Sequence, residues 1–106
     1  MPIRSRLPAA ALAAATLLGS VPALAQEDTQ ARYLAATCAN CHGTDGRSAG
    51  GGGMPGLAGL SRTYMIEQMN AFRSGARKGT IMHQLAKGYT DEQIAQMADF
   101  FSKQKK

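Results

Sequence analysis

Cys38-Ala39-Asn40-Cys41-His42 decides how this chain is read. Two thiols at C-x-x-C spacing fit on one short turn, and the imidazole of the next residue projects from that same turn. In an exported chain the pattern C-x-x-C-H suits covalent attachment of a haem c, with the thiols added across two vinyl groups and His42 reaching the iron. The rival readings each lack a part. A zinc site needs two further close-set Cys or His ligands, and outside the motif there is only His83. A thioredoxin-like pair follows a strand in a βαβ unit, whereas Ala31 to Thr37 reads as helix. A plain Cys38–Cys41 disulfide in an exported protein is the third alternative, and covalent haem staining separates it from the first.

Upstream, residues 1–25 read as a secretory signal peptide. Arg4 and Arg6 precede an apolar run from Ala9 to Leu18, and Ala23-Leu24-Ala25 is a small-x-small cleavage signal. Ser5 separates the two arginines, so no twin-arginine signal is formed. The apolar run falls short of the roughly 20 residues that a membrane-spanning helix needs, and no second candidate follows. The expectation is a soluble periplasmic protein, with an uncleaved leader acting as a tether as the minority reading. Cleavage leaves residues 26–106 as one small domain. A domain of that size rarely holds itself together by side-chain burial alone, and a covalently held, mostly apolar macrocycle supplies what is missing. Both cysteines are then consumed.

The formal charge of +5 falls by two when Arg4 and Arg6 depart. Neither a strong basic surplus nor the interleaved aromatics of a stacking platform remains, which argues against a nucleic-acid binder. Arg73, Arg77, Lys78 and Lys87 are nonetheless clustered in sequence, where they suit the steering of an acidic partner or an ordinary solvated surface.

Along residues 26–106, Asp28 or Thr29 is the expected cap of a first helix whose inward side is Ala31, Leu34, Ala35 and Cys38. Gly43 to Gly56 is a loop, rich in glycine and carrying Pro55. No strand precedes this glycine run and no Gly-Lys-Ser/Thr follows it, so a phosphate cradle is set aside. Ser61 or Thr63 opens a second helix with Met65, Ile66, Met69 and Phe72 at helical spacing, stopped by Gly75. Gly75 to Tyr89 reads as a loop. A last helix starts at Thr90, with Gln93 three residues on and Asp91 and Glu92 in its first turn, and buries Ile94, Met97, Ala98 and Phe101. The fold class is all-α, with three principal helices wrapped around one prosthetic group.

The motif ligates one face of the iron, and function turns on the other face. Met65, Met69 and Met97 lie on apolar helical stripes, where methionine usually fills gaps. Met82, in a loop between two helices, is better placed than Met54, which would have to double back. His83 is the runner-up, and on an extended loop neighbours 82 and 83 point to different sides.

These residues resemble the class I c-type cytochromes: a helix leading into C-x-x-C-H, a Pro-bearing loop, and a Met-bearing loop before a C-terminal helix. Cys38 to Gly43, the helix end Phe72-Arg73-Ser74-Gly75, Thr80-Ile81-Met82 and Ala86-Lys87-Gly88-Tyr89 are similar in particular to the cytochrome subunits of flavocytochrome c sulfide dehydrogenases. The resemblance covers nearly all of residues 26–106. It implies one covalent haem c, Met82 as sixth ligand, the Pro55 carbonyl as acceptor for His42 Nδ1, and Phe100 packed near the first helix. Some members carry two haems, and this chain has a single motif. The resemblance further implies a periplasmic one-electron carrier rather than an enzyme, with a sulfide-oxidising flavoprotein subunit as redox partner. Two alternatives stand beside it: a free shuttle serving an oxidase, and a haem enzyme or gas-binding protein with an open sixth site, for which His83 and Tyr89 are the only hints.

Overall fold

The computed structural model describes Gly19 and residues 23–50 and 53–106. The expected leader therefore lies largely outside the described residues, as do Gly51 and Gly52 of the glycine run. Five α-helices are described: α1 (Ala23–Ala36), α2 (Ala39–His42), α3 (Arg62–Ser74), α4 (Met82–Leu85) and α5 (Asp91–Ser102). Turns of 3-10 helix occupy Thr44–Gly46 and Ala86–Gly88. No strand occurs among the described residues, and α1, α3 and α5 are the three principal helices expected.

Local chemistry sets the ends of α3 and α5. Ser61 Oγ accepts from the amide of Tyr64 at 3.3 Å, and Gly75, at φ 84°, closes α3 in the left-handed conformation that a Cβ disfavours. Thr90 and Gln93 form a reciprocal capping box. The Gln93 amide donates to Thr90 Oγ1 at 3.1 Å, and the Thr90 amide donates to Gln93 Oε1 at 2.9 Å. Two orphan donors are thereby satisfied, and Asp91 and Glu92 complement the positive end of the helix dipole.

The core forms where α5 packs on α1 and α3. Ile94, Met97, Ala98 and Phe101 of α5 are buried together with Ala35 of α1 and Met65 of α3. Alanines at 31 and 35 are both buried on the inward side of α1, which packs on α5. Arg32 of α1 lies over the Phe100 ring, 5.9 Å from its centroid, and Phe100 meets Phe101 edge to face. Burial of a large apolar side chain contributes about 1.5–3 kcal/mol, and this core holds only a handful. Met54, Ile81 and Leu85, by contrast, remain exposed.

Two elements depart from the sequence expectation. α1 reaches back to Ala23, so Asp28 and Thr29 lie inside it instead of capping it. Residues with capping side chains mark a helix start only where the preceding chain leaves helical geometry, and Ala23-Leu24-Ala25-Gln26 has high helix propensity. The stretch from Gly75 to Tyr89 is not one loop. Ile81 O accepts from the amides of Gln84 and Leu85 at 2.9 and 3.1 Å, making one turn of helix that begins at Met82. Four residues are too few for apolar periodicity to reveal.

Candidate functional site

The attachment turn grows directly out of α1. Thr37 and Cys38 donate their amides to Leu34 O and Ala35 O at 3.2 and 3.1 Å, ending the helix. Cys38 O then accepts from the amides of Cys41 and His42 at 3.3 and 2.9 Å, and Gly43 N donates to Ala39 O at 2.9 Å. Residues three and four apart on such a turn are neighbours. Cys38 and Cys41 are both free thiols, the first half-buried and the second exposed. Burial pushes the Cys38 thiol above its ordinary pKa. It is therefore protonated at neutral pH.

His42 is the one buried polar residue among those described, at 7% exposure. Its Nδ1 lies 2.8 Å from Pro55 O. A carbonyl only accepts, so Nδ1 carries the proton and the neutral ring keeps its lone pair on Nε2. An acceptor of this kind orients a ligating imidazole and raises its basicity.

Glycines bring Pro55 to that position. Gly43 has φ 83°, and a Cβ there would lie 2.2 Å from Arg47 O, so the chain can turn immediately after His42 only with glycine. Gly46 has φ 77°, and a Cβ would meet Phe101 Cδ1 at 2.8 Å and Ala58 N at 2.9 Å. Its carbonyl accepts from Leu57 N and Ala58 N at 2.8 and 3.2 Å, and Gly59 N donates to Phe101 O at 2.8 Å. Ser48 Oγ donates to Met54 O at 2.8 Å. The loop thus doubles back onto α5 and presents the Pro55 carbonyl to the imidazole. Met54, immediately before Pro55, is exposed.

Met82 and His83 lie on a separate element. Both are half-buried and both belong to α4. Successive residues on a helix diverge by about 100°, so the extended-loop reason for placing them on opposite sides does not apply. His83 Nδ1 is buried without a hydrogen-bond partner. α4 packs on α3, and Gly79, just upstream, sits so close to Phe72 that a Cβ would be 2.9 Å from Cε1. Downstream, Ala86 is fully buried. Tyr89 then reaches across to Thr37, hydroxyl to hydroxyl at 2.8 Å. Thr37 and Gly46 escaped the sequence reading as site residues, Gly46 alone carrying a local signal, its place soon after the motif in a doubling loop; Tyr89, expected only as a hint of an open sixth site, pairs with Thr37.

The expected cluster of cations is thinned by internal contacts. Arg73 pairs with Asp91 and donates to Asn70 Oδ1 at 2.7 Å and to Tyr89 O at 3.4 Å. Arg77 lies 4.6 Å from the Phe72 ring centroid and donates to Gln68 Oε1 at 2.6 Å. Lys78 and Lys87 are exposed.

Two thiols one turn apart, a buried imidazole with Nε2 left for a metal, a half-buried thioether and uncovered apolar side chains fit an iron macrocycle anchored through its edge. The fold and this donor set define a small all-α protein organised around a covalently attached haem. The family profile of cytochrome c matches residues 26–105, and the chain belongs to that family. Its cofactor is accordingly covalent haem c, and it is an electron carrier. It is 38% identical over 74 residues to the cytochrome subunit of sulfide dehydrogenase of Chlorobaculum tepidum, covering 70% of this chain and 66% of that protein. It is 42% identical over 71 residues to cytochrome c-554(548) of Halomonas halodenitrificans, covering 64% of this chain and 84% of that one. It is 38% identical over 71 residues to the thiosulfate dehydrogenase electron acceptor of Thiomonas intermedia, covering 67% of this chain but 33% of that protein. The matched region is thus just under two thirds of the first relative's length and one third of the last.

Proposed function

We propose that this chain is a periplasmic one-electron carrier whose single haem c is bound through Cys38 and Cys41 and ligated by His42 and Met82, and that it accepts electrons from a sulfide-oxidising flavoprotein subunit. The observation that carries the ligation is the bond between His42 Nδ1 and Pro55 O, which leaves Nε2 of a buried ring for iron. When bound, the haem supplies one-electron exchange between ferric and ferrous iron. The protein's work is to hold, orient and shield. Cys38 and Cys41 anchor one edge, Pro55 fixes the tautomer of His42, and α4 offers a thioether, which with histidine raises the potential and closes the sixth position to small molecules. Met54 is the weaker candidate, because its neighbour Pro55 occupies the Nδ1 side of His42, away from Nε2.

Export and cleavage after Ala25 belong to the same proposal. The family match starts at residue 26, and among the described residues no helix is long and apolar enough to cross a membrane. Between Gln68 and Thr90 there is no Asp or Glu, and Lys78 and Lys87 are exposed there, which favours a partner with an acidic face.

Mass spectrometry of the mature protein is expected to show one haem adduct on the Cys38–Cys41 peptide and an N-terminus at Gln26. Sulfide plus the flavoprotein subunit is expected to reduce the ferric protein, and failure to do so sinks the partner assignment. The second reading, a free shuttle, is favoured by the match to the Halomonas cytochrome over most of that protein's length. Purification from the native periplasm separates them: a subunit co-purifies with its flavoprotein, and a shuttle does not.

A further inference from the structure

Tyr89 makes more connections than a residue in a turn requires. Its amide donates to Ala86 O at 3.5 Å, across the 3-10 turn that follows α4. Its carbonyl accepts from Arg73 Nη1 at 3.4 Å, and Arg73 is itself held by Asn70 and Asp91. Its ring packs against the core. Its hydroxyl meets Thr37 Oγ1, 52 positions away in sequence, at 2.8 Å. The direction of that bond follows from the number of protons. Thr37 has one hydroxyl proton and gives it to Leu34 O at 2.7 Å, so Tyr89 donates and Thr37 accepts.

Thr37 is the residue before Cys38, with its hydroxyl 3.9 Å from Sγ. The hydroxyl of Tyr89 therefore ends on the turn that carries both thiols and His42. The other end of the connection is the segment that carries Met82. That segment is held upstream by the close approach of Gly79 to Phe72 and downstream by the three bonds of Tyr89. Of these restraints, the side-chain bond of Tyr89 alone runs to the attachment turn; the others run to α3 or within the segment itself.

We propose that Tyr89, acting through the Thr37 hydroxyl, is a positioning residue that holds α4 against the Cys38–His42 turn and so sets how readily Met82 leaves the iron. The inference rests on the assignment of Met82 as a ligand. Departure of the thioether requires α4 to move away from the attachment turn, and the hydroxyl pair restrains that motion without itself touching the iron. Replacing Tyr89 by Phe keeps the ring in the core and removes only the restraint.

The test is competition by imidazole in the ferric holoprotein, followed by loss of the thioether-to-iron absorption band. Tyr89→Phe and Thr37→Val are each expected to raise the apparent imidazole affinity by roughly fivefold, the scale of one neutral hydrogen bond. The double variant is expected to exceed neither single one, because the Tyr89–Thr37 bond is the one link to α4 that either change removes, the further bond lost in Thr37→Val, to Leu34 O, lying at the end of α1. Thr37→Ser, which keeps a hydroxyl, should compete as the parent does. Ser61→Ala, which removes the cap at the far end of α3, should also match the parent and controls for general loosening. A Tyr89→Phe protein indistinguishable from the parent overturns the tether, as does an equal rise in Ser61→Ala. A parent that lacks the band altogether removes the Met82 assignment and the tether together.

Discussion

The two sides of the proposed haem site are built by opposite means. The Cys38–His42 side is local. Its two thiols and imidazole lie within five consecutive residues, and the turn that presents them is made of bonds between residues three or four apart. The Met82 side is assembled at long range. α4 is a single turn that is positioned by the Gly79–Phe72 contact, by burial of Ala86 and by the bond from Tyr89 to Thr37. A local turn tolerates changes elsewhere in the fold, because it carries its own hydrogen bonds. A one-turn helix cannot stand by itself, since helix nucleation is unfavourable and four residues return almost nothing for it. The anchored side should therefore fail by loss of chemistry, and the assembled side by loss of position.

The largest effect expected is on the local side. Cys38→Ala or Cys41→Ala should leave at most one thioether bond, and the double substitution should abolish covalent haem, read as loss of the adduct mass. Neither outcome is expected from any substitution in α4. Next, Met82→Ala should open the sixth position, so that the ferrous protein binds carbon monoxide readily and its potential falls within the roughly 0.8 V that axial ligands span. His83→Ala should keep the thioether band and nearly the parent potential. If the two results are exchanged, the ligand is His83.

Backbone changes sharpen the comparison at smaller scale. Gly46→Ala places a Cβ against Phe101 and Ala58 at positive φ and should cost about 3 kcal/mol in denaturant unfolding. Gly50→Ala, at a similar φ of 76° but with nothing within 4 Å, should cost about 1–2 kcal/mol. Equal losses would mean that the loop under His42 is not clamped on α5. The smallest effect belongs to the surface. Lys78→Glu with Lys87→Glu should slow reduction by an acidic partner severalfold at low ionic strength and little at high salt, as stopped-flow rates will show.

Much of this was legible before the fold. The apolar stripe Ile94, Met97, Ala98 and Phe101 is buried as its spacing implies, and the Thr90–Gln93 box and the Ser61 and Gly75 boundaries act where short-range chemistry places them. Such features repeat every three or four residues or close on their own helix. α1 was legible along its inward face and not at its start, because Asp28 and Thr29 have capping chemistry whether or not the upstream chain remains helical. α4 was misjudged as extended, since Gly79 and Gly88 on either side read as loop and one turn has no period.

By itself, the sequence determined the C-x-x-C-H pattern, the all-α class and the ends of the two best-capped helices, because each rests on residues within about one turn of one another. Tertiary structure alone decided that the Pro55 loop is fastened to α5 through the bond from Gly59 to Phe101, that Arg73 and Arg77 are engaged internally rather than free, and that Tyr89 answers Thr37. Those outcomes depend on where α5 lies against α1 and on the space that Gly43 and Gly46 leave for the backbone. Distance through space between residues far apart in the chain is set by packing, and no spacing along the chain encodes it.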